Sequence, residues 1–120
     1  PAQQGLAAFE IVFHEASHAL IGPNDGEITV RLRDAFQARG QPMPRDLWHA
    51  LLFYSTGEVV CDLVEKEHLG PYTLFAFAGG LYDRDPKWKA FAEAMAVHFK
   101  PYLDGKTDLD AAVRELAGAL

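Results

Sequence analysis

The placement of proline constrains this chain more than any other feature. Prolines stand at positions 1, 23, 42, 44, 71, 86 and 101, which leaves the stretches 2–22 and 45–70 without one. Proline inside a helix removes a backbone hydrogen bond and clashes with the preceding turn, so those two stretches, the longest between prolines, can hold the longest helices. From Ala2 to Ile21, residues Leu6, Phe9, Phe13, Ala16 and Leu20 recur at three- and four-residue steps. That spacing predicts an amphipathic helix, stopped by Gly22-Pro23. Asn24 with Glu27 fits an N-cap and its capping partner, and predicts a second helix that runs to Gly40. Ile28, Val30 and Leu32 alternate as a strand would, but Leu32, Ala35 and Phe36 continue at helical spacing and favour helix.

After the linker Gln41-Pro42-Met43, Pro44 suits a first helical turn and opens a third helix, expected over Pro44 to His68 and closed by Gly70-Pro71. The stretch from Tyr72 to Tyr82 is apolar and aromatic with Gly79-Gly80 inside it, which reads as a semi-buried loop. A fourth helix is expected from Asp85 to Lys100, stopped by Pro101, and Thr107 with Asp110 caps a short last one. The result is a mostly α fold: one domain of five helices over residues 1–120, without a convincing strand, repeat or low-complexity tract.

Apolar residues make up 49% and charged residues 23% of the 120, which excludes a disordered or coiled-coil composition. A net charge of −6 without a basic cluster argues against nucleic acid as a partner. The lone Cys61 rules out an intrachain disulfide and leaves the compartment open. No apolar run is long enough for a membrane span, and the start lacks a basic-then-apolar leader. An opening at Pro1 rather than Met leads to the expectation of further chain upstream.

His14-Glu15-Ala16-Ser17-His18 forms the pattern H-E-x-x-H. Residues four apart lie one helical turn apart on one face, so both imidazoles can reach one Zn2+ at about 2.0–2.1 Å. Glu15 projects beside them, close enough to accept a proton from water as general base. Catalytic zinc generally takes three protein ligands, so a third is needed. Glu58 and Asp62, one turn apart in Thr56-Gly57-Glu58-Val59-Val60-Cys61-Asp62, are candidates, because carboxylates on an apolar helix are rarely buried without a partner or a metal.

These two segments resemble the gluzincin metallopeptidases of the thermolysin and neprilysin kind, through His14-Glu15-x-x-His18 followed by Gly57-Glu58-x-x-x-Asp62. Beyond the motifs the chain is loosely similar to small bacterial proteins of zincin type. The resemblance implies a zinc metallopeptidase that hydrolyses peptide bonds of a peptide or protein substrate. It implies His14, His18 and Glu58 as metal ligands, Glu15 as the catalytic base, and Asp62 as the partner that orients His14. It also implies a β-sheet ahead of the zinc helix, so either these residues form the C-terminal part of a longer chain or this is a reduced helical zincin whose substrate cleft is built otherwise. In both cases zinc is held between helices one and three.

His49 is the rival third ligand. It lies nine residues before Glu58 on the third helix and so on nearly the opposite side. With Glu58 inward, Tyr54, Asp62 and Glu65 share its side; with His49 inward, Phe53, Thr56 and Val60 line the contact instead. The expectation is Glu58 inward. Glu10, one turn before His14, could orient it, although such an i,i+4 pair is more often a solvated surface contact. Tyr72 and Tyr82 are the candidate oxyanion donors, with His68, Arg84 and His98 also chemically able. Trp48, Phe53, Phe75, Phe77, Trp88, Phe91 and Phe99 read as core. Two other readings stand beside the enzyme: a zincin-derived binding or scaffold domain without peptidase activity, and a helical domain whose H-E-x-x-H is accidental.

Overall fold

The computed structural model describes residues 2–120, and side chains from residue 4 onward. The expectation drawn from Pro1 lies outside the described residues. Seven helices follow one another: α1 (Ala2–Ser17), α2 (Glu27–Ala38), α3 (Leu47–Lys66), α4 (Phe75–Ala78), α5 (Pro86–His98), α6 (Lys100–Leu103) and α7 (Leu109–Ala119), with no strand among the described residues. The mostly α reading therefore holds. The two helices beyond the expected five are single turns. Proline at 101 does end α5, but a proline in a first turn gives up an N–H that needs no partner there, so Lys100–Leu103 wind one further turn around it. Phe75–Ala78 is the helical part of the stretch expected as loop.

Capping explains several boundaries. Asp85 accepts from the Lys87 N–H at 2.8 Å and Asp108 from the Ala111 N–H at 2.7 Å, each satisfying an orphan donor of the first turn. The last helix is thus capped by Asp108 and not by Thr107. Asn24 does not cap α2 either: Gly26 occupies that position without a side-chain bond, and the Asn24 carbonyl accepts from Arg33. At the end of α2, Gly40 takes φ +69°, and the Gln41 N–H reaches the Phe36 carbonyl at 3.1 Å. The same closure recurs after α3, where the Leu69 N–H reaches the Val64 carbonyl at 3.0 Å. There His68 holds the left-handed conformation at φ +54°.

α3 is the axis of the molecule, packed against α1 on one side and α5 on another, while α2 lies on α7 and α7 on α5. Leu32, Phe36, Leu47, Leu51, Leu52, Met95, Phe99 and Leu116 are sealed from solvent and form the core between these helices. Phe91 and Phe99 are core as expected, Trp48, Phe53 and Trp88 are half-buried, and Phe75 and Phe77 are exposed.

Candidate metal centre

The α1–α3 contact brings three imidazoles together. His14 stands in the last turn of α1, His18 one residue beyond its end, and His49 in the first turn of α3. Ring centroids are 5.0 Å apart for His14 and His18, 5.4 Å for His14 and His49, and 5.9 Å for His18 and His49. One nitrogen from each ring lies within 4.8 Å of the other two. A tetrahedral zinc site sets its nitrogens roughly 3.4 Å apart, a closure within reach of side-chain rotation.

Aromatic packing holds the rings. Phe53, one turn after His49, lies 4.1 Å from the His14 ring, Trp48 stacks on His49 at 4.8 Å, and Trp88 reaches across from α5 to 6.3 Å from His49. Burial lowers the pKa of His14, and positive charge on His49 and His18 would lower it further, against a raising pull from Glu15. His49 is lowered for the same first reason and then by His18, with Asp46 and Glu15 opposing. A ligand imidazole must be neutral, so these shifts suit metal binding. The Nδ1 of His14 is buried without any hydrogen-bond partner. Three neutral imidazoles fit zinc by donor type as well. Glu15 is exposed, and its charge acts on both His14 and His49.

Glu58 and Asp62 are turned away from this cluster, which corrects the expected rotation of α3. Glu58, with its side chain 15% exposed, meets the Lys100 ammonium at 2.8 Å, and Lys100 also contacts Asp104 at 3.4 Å. The carboxylate that a metal was expected to neutralise is neutralised by a lysine. Asp62 is exposed, so it carries no desolvation cost that would call for a partner. Phe53 lies against His14, and Thr56 and Val60 are buried, as the His49-inward rotation requires.

Both candidate oxyanion donors are engaged elsewhere. The Tyr72 hydroxyl donates to Glu10 Oε2, and the Tyr82 hydroxyl donates to the Ala50 carbonyl at 3.2 Å inside the core. Burial raises the pKa of each phenol, so both remain donors. His68 closes α3, Arg84 points at the Gly79 carbonyl at 3.4 Å, and His98 lies 3.7 Å from Glu115. Glu10, for which a solvated surface contact is the favoured reading of the sequence, is instead sealed at 1% exposed. Gly57 is the one sign of this in the sequence. A Cβ there would come within 2.9 Å of Glu10 Oε1, so only glycine leaves room for the carboxylate against α3.

Comparison with protein-family models, curated proteins and solved structures gives no match, so the functional reading rests on the chemistry of this cluster.

Proposed function

We propose that this chain is a zinc-dependent hydrolase of peptide bonds in which His14, His18 and His49 hold the ion. The observation that carries the reading is the convergence of three ring nitrogens within 4.8 Å beside an exposed Glu15. Bound zinc would supply Lewis acidity toward a scissile carbonyl and toward water. Glu15, one residue from a ligand, takes a proton from the attacking water and returns it to the nitrogen of the leaving amine, so it ends the cycle as it began. The burial of His14 and His49 lowers their pKa and so favours the unprotonated ring. The gluzincin resemblance enters this reading through His14, Glu15 and His18, with His49 in the role that it assigns to Glu58.

A second reading, a binding or scaffold domain on the same frame, draws support from the engagement of both Tyr72 and Tyr82, which leaves neither hydroxyl for an oxyanion. Two measurements separate the readings. Elemental analysis of the purified protein is expected to give about one zinc per chain, lost on chelation. Glu15→Gln is expected to keep that zinc and to lower hydrolysis of a mixed peptide substrate by about 10²–10⁴-fold. A zinc-loaded wild-type protein that cleaves no peptide supports the scaffold, and a wild-type protein that takes up no zinc removes the hydrolase reading.

A further inference from the structure

Two sealed polar atoms sit one turn apart on α1 and lack partners: Glu10 Oε1 and His14 Nδ1. Glu10 is anchored through its other oxygen, which accepts from the Tyr72 hydroxyl and from the Phe75 N–H at 2.9 Å. Its Oε1 is pressed toward α3 at Gly57. A carboxylate oxygen can only accept, whereas a neutral imidazole donates from one nitrogen and accepts at the other. Helical side chains lean toward the N-terminus, so the His14 ring extends over the turn that carries Glu10. Buried polar groups are satisfied in the great majority of cases, and here each orphan is what the other lacks.

We propose that Glu10 is the positioning residue of His14: the His14 Nδ1–H donates to Glu10 Oε1, which selects the tautomer whose Nε2 lone pair is left for a metal. The exposed Asp62 does not take this part. The Tyr72 hydroxyl and the Phe75 N–H fix the carboxylate, the carboxylate fixes the ring, and the short stretch Tyr72–Phe75 is thereby coupled to the metal centre. The assignment of Nε2 to a metal rests on the zinc reading above, whereas the Glu10–His14 hydrogen bond belongs to the metal-free protein too.

The test follows histidine tautomers in protein labelled with 15N-histidine, by two-bond proton–nitrogen correlation at pH 8, first without metal and then with zinc alone. Wild-type His14 is expected to be protonated at Nδ1 in both states. Glu10→Gln presents an amide donor in place of a carboxylate oxygen, and is expected to shift His14 toward the Nε2–H form and weaken zinc binding about tenfold to a hundredfold in competition with a chelator. Tyr72→Phe removes a partner of Glu10 but not Oε1. It is expected to keep the wild-type tautomer and to change zinc affinity less than about threefold, well below that range. If Glu10 merely anchors the Tyr72–Phe75 stretch, the two variants behave alike and the tautomer does not move, which overturns the proposal. Should Glu10→Gln fail to fold, the wild-type spectrum decides alone, because an Nε2–H His14 overturns the assignment. A wild-type protein with Nδ1–H on His14 that takes up no zinc upholds the hydrogen bond and overturns the zinc reading.

Discussion

On one side of α3, His49 and Phe53 lie against His14 of α1; half a turn away, Glu58 pairs with Lys100 of α6 at 2.8 Å. Both sides hold polar groups in a largely apolar setting, and they differ in whether those groups are complete. The Glu58 carboxylate and the Lys100 ammonium neutralise each other, and Asp104 shares the lysine. On the histidine side three ring nitrogens converge within 4.8 Å, and burial lowers the pKa of His14 and His49 toward the neutral, lone-pair-bearing form. A completed pair is scaffold, while a set of converging lone pairs with nothing between them is a place where something binds.

The variants His49→Ala and Glu58→Ala put the largest weight on that distinction. His49→Ala is expected to lower zinc affinity by more than the roughly hundredfold upper range of an outer partner, because it removes a ligand, while Glu58→Ala keeps zinc. Chelator competition on the two purified variants measures both. Zinc loss in Glu58→Ala with retention in His49→Ala would invert the comparison and restore a carboxylate ligand.

The sequence carries the His14–His18 half of this site because their spacing is local and α1 is amphipathic. It does not carry the rotation of α3. Leu51, Leu52, Phe53 and Tyr54 run consecutively around the helix, and Val59 and Val60 repeat the ambiguity, so no apolar stripe selects one face. The deciding contact is Lys100, 42 positions beyond Glu58, and a pairing over that separation leaves no periodic trace. Val59 at 46% and Leu63 at 37% exposed show the outcome: apolar residues beside Glu58 and Asp62 face water. Helix ends were more legible where a single residue acts alone, as with Asp85 and Gly40. They were less so for α4 and α6, whose single turns depend on what they pack against.

Acidification separates the two sides next. The pKa of His14 and of His49 is lowered in the folded protein, so below about pH 6.5, the ordinary histidine value, the unfolded chain binds more protons than the native one. The stability of the metal-free protein is therefore expected to be full above that pH and to fall as pH drops through the lowered native values. Urea unfolding followed between pH 7.5 and 5 measures it. His49→Ala should flatten the slope in that window, and Glu58→Ala should leave it. A slope that persists undiminished in His49→Ala would mean that the histidine side is not where the protons enter.

Smaller again is the stability carried by the ion pair itself. Lys100 is 35% exposed at its side chain and keeps Asp104 when Glu58 is gone, so solvent and a second partner both blunt the loss. Glu58→Gln is expected to cost about 1 kcal/mol, read from the urea midpoint at neutral pH and reduced in high salt. A loss several times larger would mean that the pair is sealed, and that the lysine left behind cannot reach water.

The smallest effect is expected at Asp62. It stands one turn beyond Glu58 in the spacing that suggested a partner for His14, and it is exposed on the part of α3 turned from the cluster. An exposed carboxylate gains nothing from a metal elsewhere, and surface substitutions away from caps and buried networks stay within about 0.5 kcal/mol. Asp62→Asn is therefore expected to leave zinc affinity and the urea midpoint where they are. The same amide change at Glu10, also one turn from its neighbour on a helix but sealed beside His14, is expected to weaken zinc about tenfold to a hundredfold. Sequence spacing treats the two acids alike, and only burial separates them. A zinc affinity that responds to Asp62→Asn and ignores Glu10→Gln would turn α3 back to the rotation in which Glu58 faces His14, and with it the whole assignment of which side of the helix binds.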